Sequence, residues 1–476
     1  MRTVSPPRPI RPNLILGICC LSLLMVGMDV TIVNVALPAI QREFHASVSG
    51  LQWLMDAYTL VVASLLMFSG ATADRLGRRR IFQTGMALFT LSSLLCSLAP
   101  GIKSLVAFRA LQGMGASMLN PVAMSIITNI FEEPKARAKA IGVWGAMVGL
   151  AMAIGPVLGG ALTQFVGWRS IFWINLPIGI AAMVLAARFV PESKAAKARA
   201  VDPMGQFLVF LGLVSLTYAI IQGPRAGWSS ALIESSFAVS LAAIVTLVFY
   251  ERRRVEPLLD LRFFASVPFS SATVIAVCAF SSFGAFLLLN TLYLQQVRGF
   301  SPLTAGLCTL PFALMTILCA PISGRLVGAH GTLPSLLLAG LATLVSSLLL
   351  VRLSADTPIS LLLFAYVVYG AGFAVVNIPI THTAVSGMPK SQAGVAAAIA
   401  STSRQVGATL GIAVAGTVTG ARQAHGLSFA QATHPVWWVM AASGTAIGLL
   451  GWASHSAWAK ESTRRMAHLL TEPAAA

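Results

Sequence analysis

Long apolar blocks alternate with short polar gaps along the whole chain. A helix crosses the hydrocarbon core of a bilayer with about 20 mostly apolar residues. Fourteen blocks of that size can be placed, near residues 13–38, 50–70, 80–99, 103–127, 139–164, 169–189, 205–223, 230–249, 269–293, 303–324, 333–353, 358–384, 393–420 and 433–453. The pattern predicts an all-α membrane protein with 14 transmembrane helices, joined by short connections that leave no room for a separate soluble domain. The first block is read as a span and not as a cleaved leader, because it is long and contains Asp29.

The polar gaps carry an orientation. Of the 32 Lys and Arg residues, 23 fall in the N-terminal tail and the connections on its side, and 7 in the others. The clusters are Arg75/Arg78/Arg79/Arg80, Lys135/Arg137/Lys139, Lys194/Lys197/Arg199 and Arg252/Arg253/Arg254. Basic residues accumulate on the cytoplasmic side of membrane proteins, so an even number of spans places both termini in the cytoplasm.

The chain also repeats. Asn34 and Gly50 recur as Asn290 and Gly306 at an offset of 256, and Gly113, Gly115 and Asn120 recur as Gly370, Gly372 and Asn377 at 257. The spacing predicts two duplicated six-helix bundles, 13–190 and 269–453, flanking a linker (191–268) with an extra helix pair, plus tails 1–12 and 454–476. This is a 6+2+6 arrangement. Duplicated bundles of this kind hold a solute between the halves near the midplane and expose it alternately to the two sides.

Composition narrows the possibilities. Hydrophobic residues make up 57% of the 476 and charged ones 10%, with a mean hydropathy of +0.81. Soluble domains average about 45–50% apolar and 25% charged, so an ordinary aqueous enzyme and a disordered chain are both excluded. The net charge of +17 follows from the positive-inside bias and needs no nucleic-acid partner. Cys19, Cys20, Cys96, Cys278, Cys308 and Cys319 all lie in apolar runs without metal-ligand spacing.

Ionisable groups inside a bilayer are expensive and mark functional sites by default. Four lie clearly inside the spans, away from their ends: Asp29, Asp56, Arg109 and Arg404. Burial disfavours a charged Asp29 and a nearby guanidinium favours it, and a carboxyl balanced between the two can load and release a proton. The alternative is a permanent Asp29–Arg109 structural pair. Asp56, about 9 Å below the start of its helix, either meets a proton or cationic solute or is a carboxylate wetted from outside. Arg109 either tunes a carboxylate or clamps two helices. Arg404, beside Gln405, has no acidic partner on a C-half span, so backbone carbonyls or Gln405 are its expected partners.

The stretch GLAMAIGPVLGG, with Gly155, Pro156, Gly159 and Gly160, predicts a tightly packed, bent helix. The connection GATADRLGRRR carries Gly70, Asp74, Arg75, Gly77 and Arg78, with glycines for a tight turn. At the repeat offset Asp29 becomes Ala285 and Asp56 becomes Phe312, so acid chemistry sits in the N-terminal half. The C-terminal half supplies an apolar wall including Phe280, Phe283, Phe286, Tyr293, Phe312, Tyr366, Tyr369 and Phe373. Asn34, Asn290 and Asn377, with Phe286, Tyr293 and Tyr369, are the further candidates for solute contact beside Asp29 and Asp56.

These segments resemble the major facilitator superfamily, and within it the fourteen-helix drug/proton antiporters. MDVTIVNVALP (28–38), GATADRLGRRR (70–80), FRALQGMGAS (108–117), GLAMAIGPVLGG (149–160), WRSIFWINLPIG (168–179) and SRQVGATLGIA (403–413) carry the resemblance over nearly the whole chain. It implies that Asp29 and Arg109 occupy proton-coupling positions and that Asp56 matches an acid used by some quaternary-ammonium exporters. It also implies that Asp74 and Arg78 belong to a cytoplasmic gate and that Gly155-Pro156 marks antiporters. The expectation is a monomeric, proton-coupled exporter of hydrophobic, often monovalent cationic compounds in a bacterial cytoplasmic membrane, with no cofactor. A dedicated exporter of one metabolite or self-made antibiotic is the alternative on the same fold. A non-transporting sensor would be expected to have damaged gate and Arg motifs, and an intramembrane enzyme lacks a recognisable nucleophile or metal motif here.

Overall fold

A computed structural model describes residues 11–195, 201–254, 257, 259–386, 388 and 392–471. Residues 1–10 of the expected N-terminal tail, Lys197 and Arg199 of the expected basic cluster, and residues 472–476 of the C-terminal tail lie outside the described residues. Every regular element among the described residues is helical. In chain order they are α1 (Pro12–Phe44), α2 (Val48–Leu76), α3 (Arg78–Ser97), α4 (Ile102–Ile130), α5 (Pro134–Phe165), α6 (Ser170–Trp173), α7 (Asn175–Phe189), α8 (Pro203–Ala226) and α9 (Ala231–Glu251). After a 3₁₀ turn (Leu261–Ala265) follow α10 (Val267–Leu292), continued by a π turn (Tyr293–Val297), then α11 (Pro302–Cys308), α12 (Leu310–His330), α13 (Leu333–Leu350), α14 (Ile359–Val385), α15 (Ala393–Ala424), α16 (Phe429–Ala453) and α17 (Ala457–Thr471).

Local chemistry explains many boundaries. Pro12, Pro134, Pro203, Pro268 and Pro302 sit in the first positions of their helices, where a missing N–H is no loss. Ser47, Asp202, Ser301 and Ser428 accept the N–H three residues on, capping α2, α8, α11 and α16. Two predicted spans are broken. Residues 169–189 divide into α6 and α7, and 303–324 into α11 and α12. Pro177 and Pro311 cannot donate to the carbonyls four residues back, so the helix restarts just before each of them. The helix does run unbroken through Pro156.

Among the described residues, eleven helical segments are long and apolar enough to cross a membrane. Leu241, Leu318, Leu341, Phe364, Leu449 and Trp452 are among the large apolar side chains exposed on the outside of the bundle, where lipid replaces water. The chain is thus a multi-pass membrane protein. Helices α3, α4 and α15 match predicted spans but fall outside the eleven. They carry buried polar groups, including Ser93, Arg109, Gln112 and Thr409.

The two halves are packed alike. In the first, α1 lies on α5, and α4 on both α2 and α3; in the second, α10 lies on α15, and α14 on both α12 and α13. The repeated glycines make the equivalent contacts. A Cβ on Gly113 would fall 2.7 Å from the Tyr58 carbonyl oxygen of α2, and one on Gly370 would strike the Phe312 carbonyl of α12. Asn34 and Asn290 each donate to the carbonyl four residues back, both at 2.8 Å. Helices α8 and α9 form a hairpin outside this symmetry, with α8 against α2 of one half and α15 of the other.

At the α2–α3 turn Gly77 has φ +122°, a region L side chains rarely adopt, and a Cβ there would also meet Glu192 at 2.6 Å. Gly77→Ala is therefore expected to destabilise the protein by about 1–3 kcal/mol. Thermal unfolding of the detergent-purified protein should show a lowered midpoint; an unchanged one would mean that the turn relaxes freely.

Candidate functional site

The densest buried polar cluster around an ionisable group is built on Asp29. Asp29 on α1 and Arg109 on α4 are both 0% exposed, and Arg109 Nη1 donates to Asp29 Oδ2 at 2.5 Å. The same Nη1 reaches Gln112 Oε1 at 2.6 Å. Gln112 Nε2 donates to Asp29 Oδ1 at 2.9 Å and to Ser93 Oγ at 2.7 Å. Asn175 of α7 donates to Asp29 Oδ1 at 3.3 Å and to Ser93 at 3.2 Å. The guanidinium lies 4.3 Å from the centre of the Tyr58 ring of α2, within cation–π range. Five helices thus converge on one carboxylate. A buried ion pair is costly unless its remaining hydrogen-bonding groups are supplied; Gln112 and Asn175 do this for Asp29 and are themselves anchored on Ser93, while among the described residues Arg109 Nε and Nη2 have no hydrogen-bond partner.

Sequence reasoning found Asp29 and Arg109 and missed Tyr58, Ser93, Gln112 and Asn175. Gln112 follows Arg109 by three residues on one helix face, and Asn175 lies inside the quoted WRSIFWINLPIG stretch. Both signals were available. Ser93 had none, because a serine in an apolar run is unremarkable.

Asp56 makes no hydrogen bond to this cluster among the described residues. Tyr58 faces Arg109, and Asp56, two residues earlier, points about 200° away around α2. The carboxyl is 0% exposed, so it is not wetted from outside, and among the described residues neither oxygen accepts a hydrogen bond. It lies on the α2 face that meets α15: Gln52, one turn earlier, donates to the Ala413 carbonyl at 2.7 Å, and Thr59, three residues later, accepts from Thr409 at 2.9 Å.

The glycines of α5 have two separate partners. Side chains at Gly155 and Gly159 would collide with Thr31 and Ile32 of α1, within the same half. A side chain at Gly160 would lie 2.5 Å from the Pro302 carbonyl of α11, and one at Gly306 would strike the Pro156 carbonyl. The motif thus joins the two halves as well as packing one of them. Further hydrogen bonds cross between the halves toward the same end, from Gln295 to the Val35 carbonyl (2.8 Å), Gln296 to Gln41 (2.6 Å) and the Leu303 N–H to Gln164 (3.3 Å). In the predicted orientation this end is external.

The aromatic wall of the second half is a single stacked cluster. Phe283 and Phe373 lie 4.5 Å apart, Phe286 and Tyr369 4.6 Å, and Phe312 contacts all four. Asn290 accepts from Tyr366. Tyr293 is set apart, donating to the Ser354 carbonyl at 2.7 Å in the α13–α14 connection. The half-buried Arg404 donates to the Asn377 carbonyl at 3.2 Å and to Thr381 at 2.5 Å, joining α15 to α14; its neighbour Gln405 is half-buried. A carbonyl partner was expected, whereas Thr381 was not.

At the opposite end Asp74 and Arg78 pair at 3.0 Å, Arg75 is exposed, and Gly70 lies beside Pro121 of α4. Asp74 also accepts the Ala195 N–H through its backbone carbonyl, and Glu192 accepts the Arg79 N–H at 3.0 Å. Glu192, missed from sequence, thus ties the segment after α7 to the start of α3.

Comparison with known proteins agrees with this architecture. The family model described as Major Facilitator Superfamily matches residues 19–412. The chain is 38% identical over 401 residues to Multidrug resistance protein Stp of Mycobacterium tuberculosis, covering 84% of this chain and 74% of the relative. It is 35% identical over 400 residues to the Tetracenomycin C resistance and export protein of Streptomyces glaucescens (84% and 74%). It is also 35% identical over 401 residues to the Methylenomycin A resistance protein of Streptomyces coelicolor (83% and 83%). With a helical bundle of two like-packed halves and a family match over most of its length, the chain belongs to the Major Facilitator Superfamily.

Proposed function

We propose that this protein exports hydrophobic, often monovalent cationic drugs from a bacterial cell by alternating access, in exchange for protons. The reading uses fourteen spans as 6+2+6, with both termini cytoplasmic, in the cytoplasmic membrane. The observation that carries it is the buried Asp29 carboxylate, held by Arg109, Gln112 and Asn175 from two further helices. Such a group can exchange a proton only when the cluster opens to one side. Proton release and rebinding at Asp29 then set the pairing of α1 with α4, and the inter-half contacts around Gly160 and Gly306 close the outer end. The names of the relatives, a multidrug resistance protein and two antibiotic resistance proteins, support drugs as the substrate class. Asp56 is a candidate second proton-binding group, and it and the Phe286–Tyr369 cluster, with Asn34, Asn290 and Asn377, are the candidate contacts for substrate.

The test is ethidium efflux in everted vesicles with an imposed pH gradient. Wild type is expected to transport in a gradient-dependent way, and Asp29→Asn to fall to background while remaining folded. Full gradient-driven efflux by Asp29→Asn would overturn the coupling scheme. A dedicated exporter of one antibiotic is the second reading, favoured by the single compounds in the names of two relatives. A well-folded wild type that ignores ethidium would select it.

A further inference from the structure

We propose that Gln52 is the outer gate of Asp56, sealing the carboxyl from a cavity that opens at the predicted external end. The inference rests on the reading of Asp56 as a proton-binding group and names the path by which the proton reaches it.

Asp56 is bracketed. On one face of α2, Gln52 lies one turn outward and Thr59 one turn inward, and both are bonded to α15 of the other half. Gln52 Nε2 donates to the Ala413 carbonyl at 2.7 Å and to Thr417 Oγ1 at 3.3 Å, so one amide spans one turn of α15. Gly416 leaves little room beside it: a Cβ there would lie 2.5 Å from Gln52 Cδ. Between these two cross-links sits a carboxyl that is fully buried and, among the described residues, accepts no hydrogen bond. A buried polar group without a partner costs stability, so its retention calls for a use.

Immediately outside the Gln52 cross-link is a cavity of about 720 Å³ at the junction of α2, α8 and α15. Gln52 and Thr417 form part of its wall, together with Ser49, Trp228, Arg225 and His425. Among the described residues its ionisable groups are Arg225 and His425, and no carboxylate lines it. The same gate is braced from the side by the extra helix pair. Thr417 donates to the Ile220 carbonyl of α8 at 2.9 Å, and Arg225 at the end of α8 donates to Ser47 and Ser49 at 3.2 and 3.0 Å. When α15 moves away from α2, the Gln52 amide lets go of both acceptors and a proton from external water can pass to an Asp56 oxygen, leaving the carboxyl neutral. A neutral amide suits this place, because it grips two acceptors without pairing to the acid beneath it.

The test is access to position 56. Asp56→Cys is made in a chain whose six native cysteines are replaced by alanine, and a membrane-impermeant maleimide is applied to whole cells. With Gln52 present, labelling is expected to be slow. Gln52→Ala removes both hydrogen bonds of the gate and is expected to raise the rate about tenfold, and Thr417→Val, which removes one of those two together with the brace to Ile220, about threefold. Equal rates with and without Gln52, or a rise seen only when everted vesicles expose the cytoplasmic side, would overturn the gate. Gradient-driven efflux retained by Asp56→Asn would instead overturn the proton role of Asp56 and leave the labelling result standing.

Discussion

Arg109→Ala is expected to be among the most damaging single substitutions in this protein, at about 3–5 kcal/mol of stability. The loss follows from the burial of both partners at 0% exposure. Removing the guanidinium leaves the Asp29 carboxylate in the bundle with Gln112 and Asn175 as its remaining donors, and an uncompensated buried charge is far costlier than a missing contact. Alanine also vacates the space against the Tyr58 ring. The pair Asp29→Asn with Arg109→Gln removes both charges and should recover much of the stability, because no bare charge remains. It should not recover gradient-driven transport. Thermal unfolding of the four proteins of this double-mutant cycle and of Arg109→Ala, alongside vesicle efflux, checks the point. A double variant no more stable than Arg109→Ala would show that packing, and not charge, dominates the site.

Gly306→Val should act differently, on conformation more than on folding. Its side chain would be forced onto the Pro156 carbonyl, a contact that joins α11 of one half to α5 of the other. Overpacking costs about 1–3 kcal/mol, and at a separable interface that strain can be relieved by parting the halves. A bias of this size shifts a two-state equilibrium about 5–150-fold. Spin labels at Val166 and Thr304, near the same end of α5 and α11, should report a longer distance in the variant. Gly142→Val on α5, where a Cβ meets nothing within 4 Å, is the control and should leave the distance unchanged. An unmoved distance in Gly306→Val would mean that the outer contact yields locally and does not control the halves.

The helical plan was legible because a bilayer imposes one rule on every span: about 20 apolar residues in a row. Composition and the repeat at 256–257 added to the outline, and the Lys and Arg bias is the basis of the proposed orientation. The breaks before Pro177 and Pro311 were written in the sequence too, but hydropathy is blind to them, since proline interrupts a helix without making it polar. For the site, rarity did the work. Four ionisable residues inside spans are few enough to name, and two of them, Asp29 and Arg109, are paired in the structure.

Tertiary structure alone decided which of these charges act together. Asp29 and Asp56 are both acids in adjacent spans, and nothing in their spacing shows that α2 turns Tyr58 toward Arg109 and Asp56 toward α15. The polar residues that complete the Asp29 cluster come from α3, α4 and α7, and hydrogen-bond partners so far apart in sequence leave no local mark. The same holds for the α5 glycines: the sequence marks them as close-packing positions, and only the packed bundle shows that one set meets α1 and the other crosses to α11. The sequence by itself determined the class of protein, its spans and the residues whose burial demands a reason, because those depend on the cost of placing each residue in lipid. Their partners depend on the rotation and approach of whole helices, which is settled only when all the side chains pack at once.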